Sequence, residues 1–152
     1  MEILVFEVAG ERHGLAAPQV REVLPAVPLL RVEGAPRGIE GVINLRGQVL
    51  PVLDLRAHLG LPSTPIQYTD HLIVAEVDGR LVALRVDRAV ELAEVSELED
   101  ARRFVPGLQR TARVAKLPTG LVLVHDPSTM LTQNLALDWQ DLVERRSFEA
   151  TR

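Results

Sequence analysis

The sequence predicts an all-β protein built as two similar small barrels packed side by side, with short connecting helices and a helical C-terminal tail. Three observations carry that prediction. Three hairpin signals punctuate the 152 residues, at 42–53, 72–86 and 114–124. The chain also matches itself. At an offset of 69, Val5, Glu7, Val8, Gly10, Leu15 and Glu22 meet Val74, Glu76, Val77, Gly79, Leu84 and Glu91; at 72, Val42, Val52, Asp54 and Leu59 meet Val114, Val124, Asp126 and Leu131. Finally, 24 Leu and 20 Val stand against five aromatics, which suits narrow interiors filled by aliphatic side chains. Antiparallel units of about 70 residues with some five short strands hide their edges by closing into barrels.

Each element follows from local chemistry. Residues 2–8 alternate around Ile3 and Val5 and end at the turn Ala9-Gly10-Glu11; residues 14–17 suit a second short strand. Pro18 to Leu24 reads as one or two helical turns, with Pro18 near the first position, where its missing N–H costs little. Pro25 and Pro28 end it, residues 27–32 are expected as a strand, and 33–38 as a loop. The clearest hairpin joins residues 42–45 to 49–53 through Arg46-Gly47-Gln48, where Gly47 supplies the positive φ of a tight turn. Pro51 points to an edge position or a bulge. Asp54 is placed to cap a short helix over 55–59, which Gly60 ends. A Pro/Ser/Thr linker follows at 61–65.

The second half repeats the order. Residues 72–77 and 81–86 flank Asp78-Gly79, a type I′ pair, and 90–95 suits a further strand. Residues 114–117 and 121–124 flank Pro118-Thr119-Gly120, after which Asp126 is placed to cap a turn over 127–131. Leu135, Leu142 and Val143 suit a C-terminal helix over 135–146. The organisation expected is a single domain, 1–152, with barrel units at about 1–66 and 67–133, strand exchange between them left open, and a helical or mobile tail at 134–152.

Composition excludes several functions. With no Cys there is no disulfide scaffold, thiol nucleophile or thiolate metal site. A net charge of −4 and few aromatics argue against nucleic-acid binding. The acidic N-terminus lacks the Lys and Arg of a signal peptide, and no apolar run approaches a bilayer span, so a cytoplasmic location is expected. His13, His58, His71 and His125 show no i, i+3 or i+4 pair and read as turn or surface residues. No phosphate-binding loop, nucleophile elbow or dinucleotide fingerprint is present, and no nucleophile stands beside a base. No enzyme, cofactor or metal is therefore expected. One turn stands apart: Asn44-Leu45-Arg46-Gly47 puts a long cation on a hairpin tip, either as a solvated turn residue or as a donor fork aimed at a partner's carboxylate or carbonyl.

The run from Val32 to Arg56, centred on Gly41-Val42-Ile43-Asn44-Leu45-Arg46-Gly47, resembles the signature of the CheW family, the bacterial chemotaxis coupling proteins. Val20-Arg21-Glu22-Val23 is similar to the family's Val-x-Glu-Ile/Val segment. Val86-Asp87 and Leu121-Val122-Leu123-Val124-His125-Asp126 sit where the family has its Val-Asp and its Leu-rich last strand. The resemblance covers residues 2 to about 133. It implies two SH3-like five-stranded barrels, a partner in the regulatory domain of a CheA-type histidine kinase, and a second partner in the cytoplasmic tip of methyl-accepting chemoreceptors. It further implies that Val20, Glu22, Asn44, Arg46 and Gly47 face the receptor. Among the departures from the family pattern are Arg85, where an apolar residue is usual, and His125 in a normally apolar stretch.

The function expected is a non-catalytic adaptor coupling chemoreceptors to that kinase, with no nucleic-acid partner and no direct membrane insertion. The alternative is a detached regulatory module of the same family, acting on a kinase of a pilus or other signalling system without touching a receptor.

Overall fold

The computed structural model describes residues 1–108 and 112–134. The chain opens with β1 (Glu2–Val8) and β2 (Glu11–Ala16), turns through a 3-10 segment (Ala17–Gln19), and continues with β3 (Val20–Pro25), β4 (Ile39–Leu45), β5 (Gln48–Asp54) and α1 (Leu55–His58). Then follow β6 (His71–Val77), β7 (Arg80–Val86), β8 (Arg88–Glu94), β9 (Leu98–Asp100), a 3-10 segment (Ala101–Arg103), β10 (Ala112–Leu117), β11 (Gly120–His125) and α2 (Pro127–Asn134). Among the described residues no helix is long and apolar enough to cross a membrane.

The strands form two sheets, ordered β3-β6-β7-β5-β4 and β8-β1-β2-β11-β10-β9. The first is contiguous in sequence. Its edges approach through the chain leaving β3: Leu30 exchanges both backbone hydrogen bonds with Val42 of β4, at 2.8 and 2.9 Å. The second is split between the two ends of the chain. Its edge strands β8 and β9 are separated only by Val95-Ser96-Glu97, so counting them as one bent strand gives five strands here too.

The sheet order describes a strand exchange of the kind left open between the two units. The repeat is real in structure, but its halves trade hairpins. The first hairpin of the chain, β1-β2, joins β10-β11 of the second half through the parallel pair Val124 with Gly14. The first hairpin of the second half, β6-β7, joins β4-β5 of the first through the parallel pair Val52 with Ala83. The offsets of 72 and 69 map one junction onto the other residue for residue. The chain crosses between sheets at Ala17–Gln19 and at Asp87, whose carboxylate holds Ala9 N–H at 2.8 Å and the Arg56 guanidinium at 2.9 and 3.0 Å.

Exchange produces three cores from a period-2 pattern. Ile3, Val5, Val122 and Val124 point into the split barrel, and Leu72, Val74, Leu50 and Val52 into the contiguous one. The alternate residues Leu4, Phe6 and Val8 of β1 meet Ile73, Ala75 and Val77 of β6 in a third core between the barrels, joined by Leu55 of α1 and Met130 of α2. Strands buried on both faces need near-continuous apolar sequence.

The hairpins fall where the turn residues put them. Arg46 and Gly47 take φ of 49° and 88°, and Asp78 and Gly79 take 50° and 79°, as type I′ turns require. Pro51 lies opposite Val42, whose backbone groups face Leu30 instead, and β7 begins to pair with β5 only at Val52. The missing N–H therefore interrupts neither ladder. Asp54 caps α1 by accepting from Ala57 N–H at 3.3 Å, and Asp126 accepts from Ser128 N–H at 3.0 Å.

Two local readings are overturned. The segment from Pro18 to Leu24 is not helical beyond Ala17–Gln19; it is the edge strand β3. A β-bulge between Val20 and Glu22 adds one residue to the strand, so its apolar positions Val20, Val23 and Leu24 imitate a helical period. The strand expected at 27–32 reduces to the single Leu30 bridge, because Pro25 and Pro28 supply no N–H to a ladder. The expected helix at 135–146 and Trp139 lie outside the described residues.

Closure of the contiguous barrel depends on a backbone contact that only Gly permits. A Cβ at Gly41 would sit 2.5 Å from the Leu30 carbonyl oxygen. Gly41→Ala is expected to lower stability by about 1–3 kcal/mol, the usual cost of forced overpacking, in urea unfolding at neutral pH.

Candidate functional site

The residues expected to face a receptor gather, with one exception, at the mouth of the contiguous barrel. The tip of the β4-β5 hairpin, the turn between β6 and β7, and edge strand β3, which pairs with β6, surround one opening. Between them lies a groove of about 560 Å³. Leu45, Val74 and Leu81 make its apolar floor, continuous with the barrel interior; Arg21, Glu22, Arg46, Gln48 and Glu76 make its rim.

Glu22 and Arg46, 24 residues apart in sequence, form an ion pair across this groove. Arg46 remains 70% exposed. A second pair of reversed polarity, Arg21 with Glu76, lies beside it. The bulge in β3 lets the neighbours Arg21 and Glu22 both reach the rim. Asn44 acts on the turn itself: its Oδ1 accepts from Gly47 N–H at 2.8 Å and holds the tip closed. Gly47 supplies the left-handed conformation. Val20 is the exception. It packs against the inter-barrel core and does not line the groove.

Arg46 also sits in a left-handed conformation, where Asn, Asp or Gly is preferred; the cost is about 1–2 kcal/mol. The equivalent position in the split barrel, 72 residues on, is Pro118, so the cation belongs to one barrel alone. Sequence reading missed Arg21, Glu76 and the aliphatic floor. Treating β3 as helix concealed the rim, and nothing local announces that Leu45 and Leu81 meet.

The two polar departures have structural explanations. Arg85 is buried, bonding Glu40 at 2.8 Å, the Thr64 carbonyl at 2.6 Å and Asp70 at 3.4 Å. It fastens the 61–65 linker, through Thr64, and Asp70 beyond it to the sheet. Burial pushes the Glu40 carboxyl up to about 7, against the pull of Arg85, and its Oε2 has no hydrogen-bond partner among the described residues. His13 and His125, expected at turns or the surface, are instead buried side by side, with Nδ1 and Nε2 2.9 Å apart. Among the described residues no group of three His, Cys, Asp or Glu is placed to hold a metal ion.

Comparison with known proteins matches residues 2–134 to the CheW-like domain family. The chemotaxis protein CheW of Rhizobium meliloti (strain 1021) is 35% identical over 96 residues, 63% of this chain and 62% of the relative. That of Bacillus subtilis (strain 168) is 36% identical over 98 residues, 64% and 63%. These alignments span less than two thirds of the relatives' own length. The crystal structure of the scaffolding protein TtCheW from Thermoanaerobacter tengcongensis superposes with a TM-score of 0.71 at 28% identity, covering 81% of this chain and 86% of that one.

Two outcomes follow from the geometry. Arg46→Asn is expected to melt no lower than the parent, because Asn suits the turn and an exposed ion pair contributes at most about 1 kcal/mol. Glu40 in the fold holds its proton up to about 7, from an ordinary 4.5. Its contribution to stability is therefore present below pH 4.5 and lost as pH rises through 7. Glu40→Gln should gain stability relative to the parent between pH 5 and pH 7.5 in parallel urea titrations; a constant difference would show that Glu40 does not titrate there.

Proposed function

The chain belongs to the CheW family, and from that premise we propose that it is a non-catalytic, cytoplasmic adaptor coupling chemoreceptors to a CheA-type histidine kinase in chemotaxis signalling. The observation that supports this reading is the Glu22–Arg46 pair over an aliphatic floor, at the segments where the family signature is found.

The geometry suggests how such a site docks a helical receptor tip. Leu45, Val74 and Leu81 offer an apolar seat for one stripe of a helix. Arg46 offers a planar donor fork, held in register by its turn and parked on Glu22 in the free protein. Exposed ion pairs contribute little, so a receptor carboxylate or carbonyl exchanges with Glu22 at small cost. Glu22 and Glu76 then face the receptor's cations. Coupling requires the kinase regulatory domain to bind elsewhere, and to bind with unequal affinity in its active and inactive states, since only a difference in affinity shifts an equilibrium.

Arg46→Ala and Glu22→Ala should each weaken receptor co-sedimentation roughly tenfold or more, about 1.4 kcal/mol, while pull-down of the kinase regulatory domain is unchanged. If neither variant alters co-sedimentation, this groove is not the receptor site. Modulation of soluble kinase activity with no receptor present would favour the detached regulatory module.

A further inference from the structure

The charged rim of the groove differs from the same region of the split barrel in a way that packing does not require. Shifting by the repeat offset of 69 puts Val90, Glu91 and Glu7 where Arg21, Glu22 and Glu76 stand, and shifting by 72 puts Pro118 in place of Arg46. Both acids recur in the split barrel, and neither cation does. The β-bulge recurs as well. In the contiguous barrel it falls between Val20 and Glu22; in the split barrel it falls opposite the step from Val5 to Phe6 and passes over Val90. The bulged residue is Val90 in one barrel, packed against its core, and Arg21 in the other, on the rim. A carboxylate at this place does not need its cation on the bulge. Glu7 is held by Arg88 at 2.9 Å and Arg12 at 3.8 Å, neither of them the bulged residue.

Strand order fixes how the four charges follow one another. The tip of β4-β5 reaches β3 through the Arg46–Glu22 pair, and β3 pairs with β6, which carries Glu76. The rim therefore runs Arg46, Glu22, Arg21, Glu76, with signs alternating, and Gln48 and Gly79 on the remaining side carry no charge. Arg21 also donates through Nη1 to the Pro18 carbonyl at 2.9 Å, a tether that does not depend on Glu76. Arg21 and Glu76 are 47% and 35% exposed, so their pair is wet and readily exchanged.

We propose that Arg21 and Glu76 are specificity-determining residues of this groove: they select a helix whose polar edge alternates acid and base on successive turns. The inference rests on the groove being the receptor site. Neighbouring strands lie about 4.8 Å apart and a helix rises about 5.4 Å per turn, so one turn of a helix laid along the rim spans from β3 to β6. An acid on one turn meets Arg21 and a base on the next meets Glu76, repeating the exchange made at Arg46 and Glu22. A uniformly acidic helix gains both arginines but sets like charges against Glu22 and Glu76, and a uniformly basic helix does the reverse. Such repulsion discriminates between partners more than it adds affinity.

The test is co-sedimentation with membranes carrying the cognate receptor. It compares the parent, the charge-exchanged variant Arg21→Glu/Glu76→Arg, and Arg46→Ala as a check on the groove itself. The exchanged variant keeps an internal ion pair and is expected to melt within about 3 °C of the parent. It should bind the receptor about tenfold more weakly. Exchanging one acid with the base a turn away, scanned along the receptor tip, should restore its binding and weaken the parent's. Undiminished binding by the exchanged variant, with Arg46→Ala weakened, overturns the inference and leaves the groove as the receptor site. Undiminished binding by both removes the groove reading and the inference with it. Weak binding that no receptor exchange restores overturns the inference too, because loss without rescue is what damage to the fold gives. If the exchanged variant does not fold, Arg21→Val, the residue of the split barrel, takes its place. It should bind the receptor about fivefold more weakly and lose the parent's response to the receptor exchanges; an unchanged response overturns the inference.

Discussion

The structure depends on one constraint: β1 and β6 are covered on both faces. Each sends alternate residues into its own barrel and the rest into the core between the barrels. A sheet with one wet face would leave Leu4, Phe6 and Val8 exposed, and each such side chain loses about 1.5–3 kcal/mol of burial when left in water. The barrels are therefore not independent units that happen to touch. The hairpin exchange gives each barrel strands from both halves of the repeat, so neither half closes without the other. Among the described residues a single aromatic, Phe6, serves a central core otherwise built of Leu, Val, Ile, Ala and Met.

Much of this was legible in the sequence because it is local. Three of the four hairpins were bounded by turn residues whose φ requirements are unambiguous, as at Asp78-Gly79 and Arg46-Gly47. The caps at Asp54 and Asp126 followed from short polar side chains ahead of helical runs. What was not legible is non-local. The near-continuous apolar runs of β1 and β6 say that both faces are covered but not by which strand, so strand exchange between the matched halves stayed open. The bulge at Arg21 erased the alternation that would have identified β3. Arg85 and His125 break the apolar pattern, and only tertiary partners explain them: Glu40, Asp70 and Thr64 for one, His13 for the other.

The candidate site was legible in part for the same reason. Arg46 stood out as a cation on a tight turn, and Glu22 entered through the family signature. Their meeting across a groove is a product of sheet order, which sets β3 and β4 at opposite edges and then curls them together through Leu30. Two barrels of like construction thus carry unlike surfaces. One presents an oriented cation at its mouth, and the other places Pro118 there.

The unequal threading of the barrels has a consequence during synthesis. The contiguous barrel uses residues 20–86 alone and is complete in sequence once β7 has emerged. The split barrel needs β2 and β11, whose paired residues Gly14 and Val124 are far apart along the chain. At about 5–20 residues per second the first hairpin waits on the order of ten seconds for its parallel neighbour. Through that interval the unpaired edge of β2 and the imidazole of His13 face the translating ribosome's surroundings, and the later-made hairpin β10-β11 is the one that seals the split barrel.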